Sequence, residues 1–190
     1  MSPEAGPLVS CTGIATLDTV LGVEQLPDGD GKWSAQWMVE VGGGVAANAA
    51  VAASRLGACV RFGGAVGADD RGERVVSGLD AEGVLVEGVL RLERSTTPTS
   101  AVMVDACGRR MIVNHLQEGF FEPADLRWAR DVGAADTVLV DLRWLAGATE
   151  SVRAARAAGS PSVFDVDRSI DAQAPILSEA THLLFSADAL

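Results

Sequence analysis

The stretch VGGGVAANAAVAASRLGACVRFGGAVG, residues 41–67, decides how the rest of the chain is read. Three consecutive glycines, Gly42, Gly43 and Gly44, run as a loop into an alanine-rich segment of helical character, and a β-like segment then closes on Gly67. Glycine lets a backbone approach a ligand with no Cβ in the way and tolerates positive φ, while the helix that follows turns unpaired N–H groups back toward the loop. A polar or anionic ligand fits such a place, and so does a purely structural turn. Asn48 is the strongly polar side chain in the first turns of an otherwise apolar helix, so it meets either the ligand or a local partner.

On the N-terminal side, residues 8–15 form an apolar run of small side chains that ends against Thr16, Leu17 and Asp18. This predicts a buried first strand whose carboxyl end presents Asp18, the edge where open α/β sheets keep their ligands; a turn or cap is the alternative role. The turn-rich LPDGDG leads to Lys32 and to WSAQWMVEV, where Trp33, Ala35, Trp37 and Val39 alternate with mostly polar residues, predicting a strand with one apolar face. Two tryptophans on so small a strand suit a cover or a subunit contact.

On the C-terminal side, residues 69–83 read as an amphipathic helix with Asp69 or Asp70 as N-cap and Val75, Val76 and Leu79 as its stripe. A strand over 84–90 follows. Residues 99–105 and 110–115 form a β-hairpin carrying Asn114 and His115 at its far end. The pattern then predicts a helix over 123–132, a strand over 137–142, a helix over about 148–158, a strand over 162–167, a helix over 175–180 and a last strand over 182–186. Strands alternating with helices make a parallel sheet covered on both faces. The Trp33 strand and the hairpin make a small β-ribbon standing off it.

The 190 residues are 48% hydrophobic, enough for one folded domain with a substantial core. A formal net charge of -11 repels phosphate backbones, which argues against nucleic acid as a partner. Cys11, Cys59 and Cys107 are odd in number and lack metal-binding spacing, which favours free thiols and no metal cluster. No leader-like segment or long apolar stretch is present, so no membrane contact and a cytoplasmic location are expected.

The residues resemble the ribokinase-like (PfkB) carbohydrate kinases: Gly43, Gly44, Asn48, Ala50, Gly57 and Gly67 stand at the spacing of that family's first pattern. Asp18, the β-ribbon and VGADDRGERV agree with it as well. The resemblance implies a three-layer α/β/α sandwich with a mostly parallel sheet, a small β-sheet lid in segments 18–41 and 97–116, and a dimer formed through that lid. It implies ATP and Mg2+ as cofactors and a sugar as the small-molecule substrate. Within the family, GKWSAQWMVEVGGGVAANAAVAASRLGA, SAVMVDACGRRMIVNH and VLVDLRW are similar to the sulfofructose kinases. That likeness implies phosphorylation of 6-deoxy-6-sulfofructose to the 1-phosphate in sulfoquinovose catabolism. Asp18, Gly43, Gly44 and Asn48 would then bind sugar hydroxyls, and Lys32, Asn114 and Arg143 the sulfonate, a tetrahedral anion suited to an arginine fork. Phosphate would be recognised similarly. Val45 stands where ribokinases commonly carry Lys, which argues against ribose itself.

Other readings of the same residues remain. Arg143 also suits a salt bridge to Asp141 or Asp165, Lys32 a solvated turn, and His115 a structural place in the hairpin. Asp165 and Asp167, at a strand end, are candidates for a place near phosphates or for capping. A fructokinase, a 6-phosphofructokinase, a ribokinase, a nucleoside kinase, or a non-catalytic sugar-binding and dimerisation fragment are the alternatives. The family's catalytic Asp lies in a second motif of GAGD type, and no such motif occurs here; Ser186-Ala187-Asp188-Ala189 likewise departs from its Asn-x-x-Glu pattern. The expectation is therefore the N-terminal portion of one kinase domain, truncated at its C-terminal side. Its base would lie beyond Leu190, and no phosphoryl transfer is expected from these residues alone.

Overall fold

A computed structural model describes residues 6–122, 128, 132–171 and 174–189. Six strands, β1 (Leu8–Thr12), β4 (Cys59–Gly67), β5 (Val84–Leu92), β8 (Thr137–Asp141), β9 (Ser162–Val166) and β10 (His182–Phe185), form a parallel sheet in the order β10-β9-β8-β1-β4-β5. Four more, β2 (Thr16–Gly22), β3 (Trp37–Gly43), β6 (Thr99–Val104) and β7 (Arg110–His115), form a mixed sheet in the order β3-β2-β6-β7. The helices are α1 (Val45–Arg55), α2 (Asp70–Ala81), α3 (Leu145–Ala158) and the short α4 (Ile176–Glu179).

The large sheet is covered on both faces because its strands are apolar on both. Val9 and Cys11 of β1 join a core with Ala46, Ala47 and Ala50 of α1 and Val75, Val76 and Leu79 of α2. Leu8 points the other way, into a second core built by Val138 and Val140 of β8 with Ala148, Val152 and Ala155 of α3. Burying each Val, Phe or Ile there contributes about 1.5–3 kcal/mol. The alanines matter because they let α1 sit close on the sheet. The expected N-cap is in place: the Asp69 carboxylate accepts from Gly72 N at 2.8 Å and also from the Thr97 amide at 2.9 Å and its hydroxyl at 2.5 Å. Burial works against that charge, but the Thr97 and Gly72 bonds win and hold the carboxyl below its usual range. Asp69 thereby ties the start of α2 to the segment that enters β6.

Three expectations need correction. The apolar run over 8–15 is not one strand: β1 stops at Thr12, and Asp18 lies inside β2, in the other sheet. The break sits at Gly13, where any Cβ would lie 2.2 Å from the Asp141 carboxylate, so the chain turns out of the large sheet there. The tryptophan strand starts at Trp37 rather than Trp33, because β2 ends at Gly22, the partner of Trp37; Gln36 N still donates to the Gly22 carbonyl at 2.8 Å, and the ladder stops there. Finally, the three glycines are not one loop. Gly42 and Gly43 complete β3 opposite Leu17 and Thr16, and only Gly44, with φ 98°, turns the chain into α1. The helix expected over 123–132 falls largely outside the described residues.

Candidate functional site

The two sheets part at the carboxyl end of β1, and the parting opens a cavity. Its walls come from six segments: Ile14 from the turn after β1, Thr16 and Asp18 from β2, Gly44 and Val45 at the start of α1, Ser100 from β6, Asn114 and His115 from β7, and Arg143 beyond β8. Its volume is about 120 Å³. The strand registers explain the convergence. Asp18 pairs with Val41, and Ser100 with Asn114, so the alternation of the mixed sheet puts Thr16, Asp18, Ser100 and Asn114 on one face.

Two polar atoms in this wall are buried without a protein partner, Oδ1 of Asp18 and Oγ1 of Thr16. Buried polar groups are nearly always satisfied, so this pair leaves two hydrogen-bonding positions open to whatever enters the cavity. Gly43 stands against both: a Cβ there would lie 2.2 Å from Asp18 Oδ2 and 2.6 Å from Thr16 Oγ1.

Below the cavity lies Asp141, 1% exposed. Its Oδ2 accepts from Ile14 N at 2.8 Å and Ala46 N at 3.1 Å, and its Oδ1 from Arg143 N at 2.9 Å. Gly44 has no side chain to cap α1, so Asp141 does this from across the sheet. Burial pushes the Asp141 carboxyl up to about 6, against the pull of those three amides and of the Arg143 charge. The same burial, with Asp141 adding to it, pushes the Cys11 thiol up to about 12, so Cys11 is an inert core residue.

Arg143 pairs with neither Asp141 nor Asp165 through its guanidinium. Nη2 donates to Asp167 Oδ2 at 2.5 Å. One pairing leaves the other N–H groups of the fork for the cavity. Asp165, half-buried at the end of β9, has its carboxyl raised by burial and by Asp167 beside it.

Of the seven residues expected to bind substrate, Asp18, Gly44, Asn114 and Arg143 line this cavity. Gly43 and Asn48 line a neighbouring groove of about 530 Å³ between β3, α1 and α2. Lys32 is exposed in the turn before β3 and lines neither space. Sequence reasoning missed Thr16, Ser100 and the bridging role of Asp141. A carboxylate ending the apolar strand VLVD was the available signal for the last of these. Among the described residues no group of His, Cys, Asp and Glu is arranged to hold a metal by itself, and no helix is long and apolar enough to cross a membrane.

Comparison with known proteins gives a consistent result. Residues 7–126 match the family described as pfkB family carbohydrate kinase. An ATP-dependent ribose-1-phosphate kinase of Halopiger xanaduensis is 34% identical over 107 residues, covering 56% of this chain and 36% of that protein. Among solved structures, a ribokinase-like protein of Agrobacterium tumefaciens superposes with a TM-score of 0.88 at 32% identity, over 95% of this chain and 59% of the other. The ribokinase of Arabidopsis thaliana, solved with ribose and ATP, gives 0.78 at 25% identity, over 96% and 60%. The chain thus spans about a third of that curated relative and about three fifths of these structures.

Proposed function

The chain belongs to the pfkB carbohydrate kinase family, and from that premise we propose that its cavity is the sugar-binding half of an ATP-dependent sugar kinase. The observation that carries this reading is the orphaned pair Asp18 Oδ1 and Thr16 Oγ1 beside the tight glycine turn. A sugar hydroxyl donating to Asp18 and accepting from Thr16 satisfies both atoms at once. The Arabidopsis relative was solved with ribose and ATP, which supports the pairing of a sugar with this nucleotide.

The substrate proposed is a ketose with an anionic group at C6, 6-deoxy-6-sulfofructose in sulfoquinovose catabolism, phosphorylated at its 1-hydroxyl. Arg143, with donors left over after Asp167, and Asn114 on the facing strand meet the anion; Asp18 and Gly44 meet the hydroxyls. Lys32, Gly43 and Asn48 do not line this cavity, and the proposal gives Lys32 and Asn48 no contact there, while Gly43 supports Asp18 and Thr16 from behind. A ribokinase, a nucleoside kinase or a fructokinase is the alternative within the family, and a non-catalytic binding module the alternative outside it.

ATP and Mg2+ are proposed for the carboxyl edge of the large sheet, where Asp165 and Asp167 repel one another and would gain from a divalent cation between them and the phosphates. When bound, Mg2+ would neutralise charge on the transferred phosphoryl group. Asp167 meanwhile holds Arg143. A homodimer through the lid is proposed from the exposed apolar side chains of the mixed sheet, Trp37, Met38, Val39, Ile112 and Val113. A cytoplasmic location is part of the same proposal.

Two measurements test this. Arg143→Ala is expected to weaken binding of sulfofructose and fructose 6-phosphate roughly 10- to 100-fold, the worth of a charge-assisted hydrogen bond, and to leave fructose unchanged. Equal affinities in wild type and variant would remove the anion assignment. Because the 190 residues contain no GAGD-type motif to supply a base, a coupled ADP-release assay on this chain is expected to show no sugar-dependent turnover. Turnover above background would place the base within these residues.

A further inference from the structure

The geometry points to Asp141 as a positioning residue: its ionised carboxylate holds the turn after β1, the first turn of α1 and Arg143 in the arrangement that forms the cavity. The inference concerns the site proposed above and rests on that reading for its link to sugar binding, but not for its structural content. Three observations carry it. The carboxylate accepts three backbone N–H groups from three separate segments: Ile14 and Arg143, which line the cavity, and Ala46, which follows the lining residues Gly44 and Val45. A Cβ at Gly13 would lie 2.2–2.5 Å from the carboxylate atoms, so the turn is fitted around it. Gly44 offers α1 no cap, so the helix start depends on Asp141.

A carboxylate is the group that can do this. All three partners are donors, and an ionised carboxyl is acceptor-only. Protonation, or replacement by Asn, turns one of the two ends into a donor facing a backbone N–H. The groups around Asp141 are Cys11 on β1, Arg143 just beyond β8, Asp165 opposite in register on β9, and Asp167, which holds Arg143.

The arrangement costs stability, and the signs separate positioning from scaffolding. The carboxyl is raised from 3.8 to about 6 in the folded chain. Between those pH values the folded chain keeps a proton that the unfolded chain has released, so this group's contribution to stability falls as pH rises across the window. Cavity order and ligand affinity run the opposite way, rising with pH as the carboxylate forms.

The test compares the chain with Asp141→Asn. In the ligand-free wild type, the amide resonances of Ile14, Ala46 and Arg143 are expected to titrate together with a midpoint near pH 6, and in the variant not to titrate there. Affinity for 6-deoxy-6-sulfofructose, whose sulfonate keeps its charge throughout this range, is expected to fall about tenfold in wild type from pH 7.5 to pH 5, and to be low and flat in Asp141→Asn, whose melting temperature at pH 7.5 stays within a few degrees of wild type. Because His115 also lines the cavity, the flat profile of the variant is what assigns the titration to Asp141. Amides that titrate independently, or a variant with wild-type affinity and pH dependence, would overturn the inference. If no sugar binds at any pH, the kinase reading fails, and the amide titration still decides the role of Asp141.

Discussion

Replacing Gly44 by alanine is expected to destabilise the chain by about 3–5 kcal/mol, a large share of the stability of a domain this size. The backbone at Gly44 has φ 98° and ψ 138°, a region that side-chain-bearing residues essentially do not enter. A Cβ there would lie 2.3 Å from the Ile14 carbonyl oxygen and 2.9 Å from Ala15 Cα, both backbone atoms that cannot swing aside. At about 2–4 °C per kcal/mol for this length, thermal unfolding should move down by roughly 10 °C. Gly42→Ala is the control, because a Cβ at Gly42 meets nothing within 4 Å. It should be neutral or slightly stabilising. Equal losses in the two variants would mean that the turn into α1 is not where the strain lies.

Asp18→Ala is expected to weaken sugar binding roughly 30- to 100-fold without lowering the melting temperature. The carboxylate supplies an acceptor for sugar hydroxyls, worth about 1.5–3 kcal/mol for a charged hydrogen bond. Its Oδ1 has no protein partner, so folding loses no hydrogen bond there when it is removed. Asp18→Asn keeps one oxygen and should lose about tenfold. Calorimetric titration alongside thermal melts separates this outcome from simple unfolding, in which affinity and stability fall together.

The parts of the fold that were legible in the sequence are those fixed by local chemistry. The Asp69 cap and the Val75, Val76, Leu79 stripe mark α2 because capping and helical periodicity act within a few residues. The alternation of strand and helix announced the parallel sheet. What was not legible depends on partners far along the chain. The break between β1 and β2 arises where Gly13 meets Asp141, more than a hundred residues later; Gly13 marks a weak point in the apolar run 8–15, but its partner is not visible there. The length of the tryptophan strand is set by where β2 stops. Of the three glycines, Gly42 is simply a strand residue, Gly43 gives way to Asp18, and Gly44 makes the turn. Strand pairing and close backbone neighbours separate these roles.

The site divides in the same way. Asp18, Asn114 and Arg143 stood out as polar residues at the ends of apolar segments, and the structure brings them with Gly44 around one cavity. The spacing that singled out Asn48 could not give its direction: it sits on the exposed side of α1, toward the neighbouring groove. Asp141 looked like a possible partner for the Arg143 side chain. Its role instead comes from three backbone amides supplied by distant segments.

The most direct test of the sugar-site assignment is calorimetric titration of this chain with ribose, fructose, fructose 6-phosphate and 6-deoxy-6-sulfofructose, repeated with Asp18→Ala. The account predicts single-site binding of at least one of these sugars, tightest for an anionic ketose, and its loss in the folded variant. No binding by any of them, or binding that Asp18→Ala leaves intact, would contradict it.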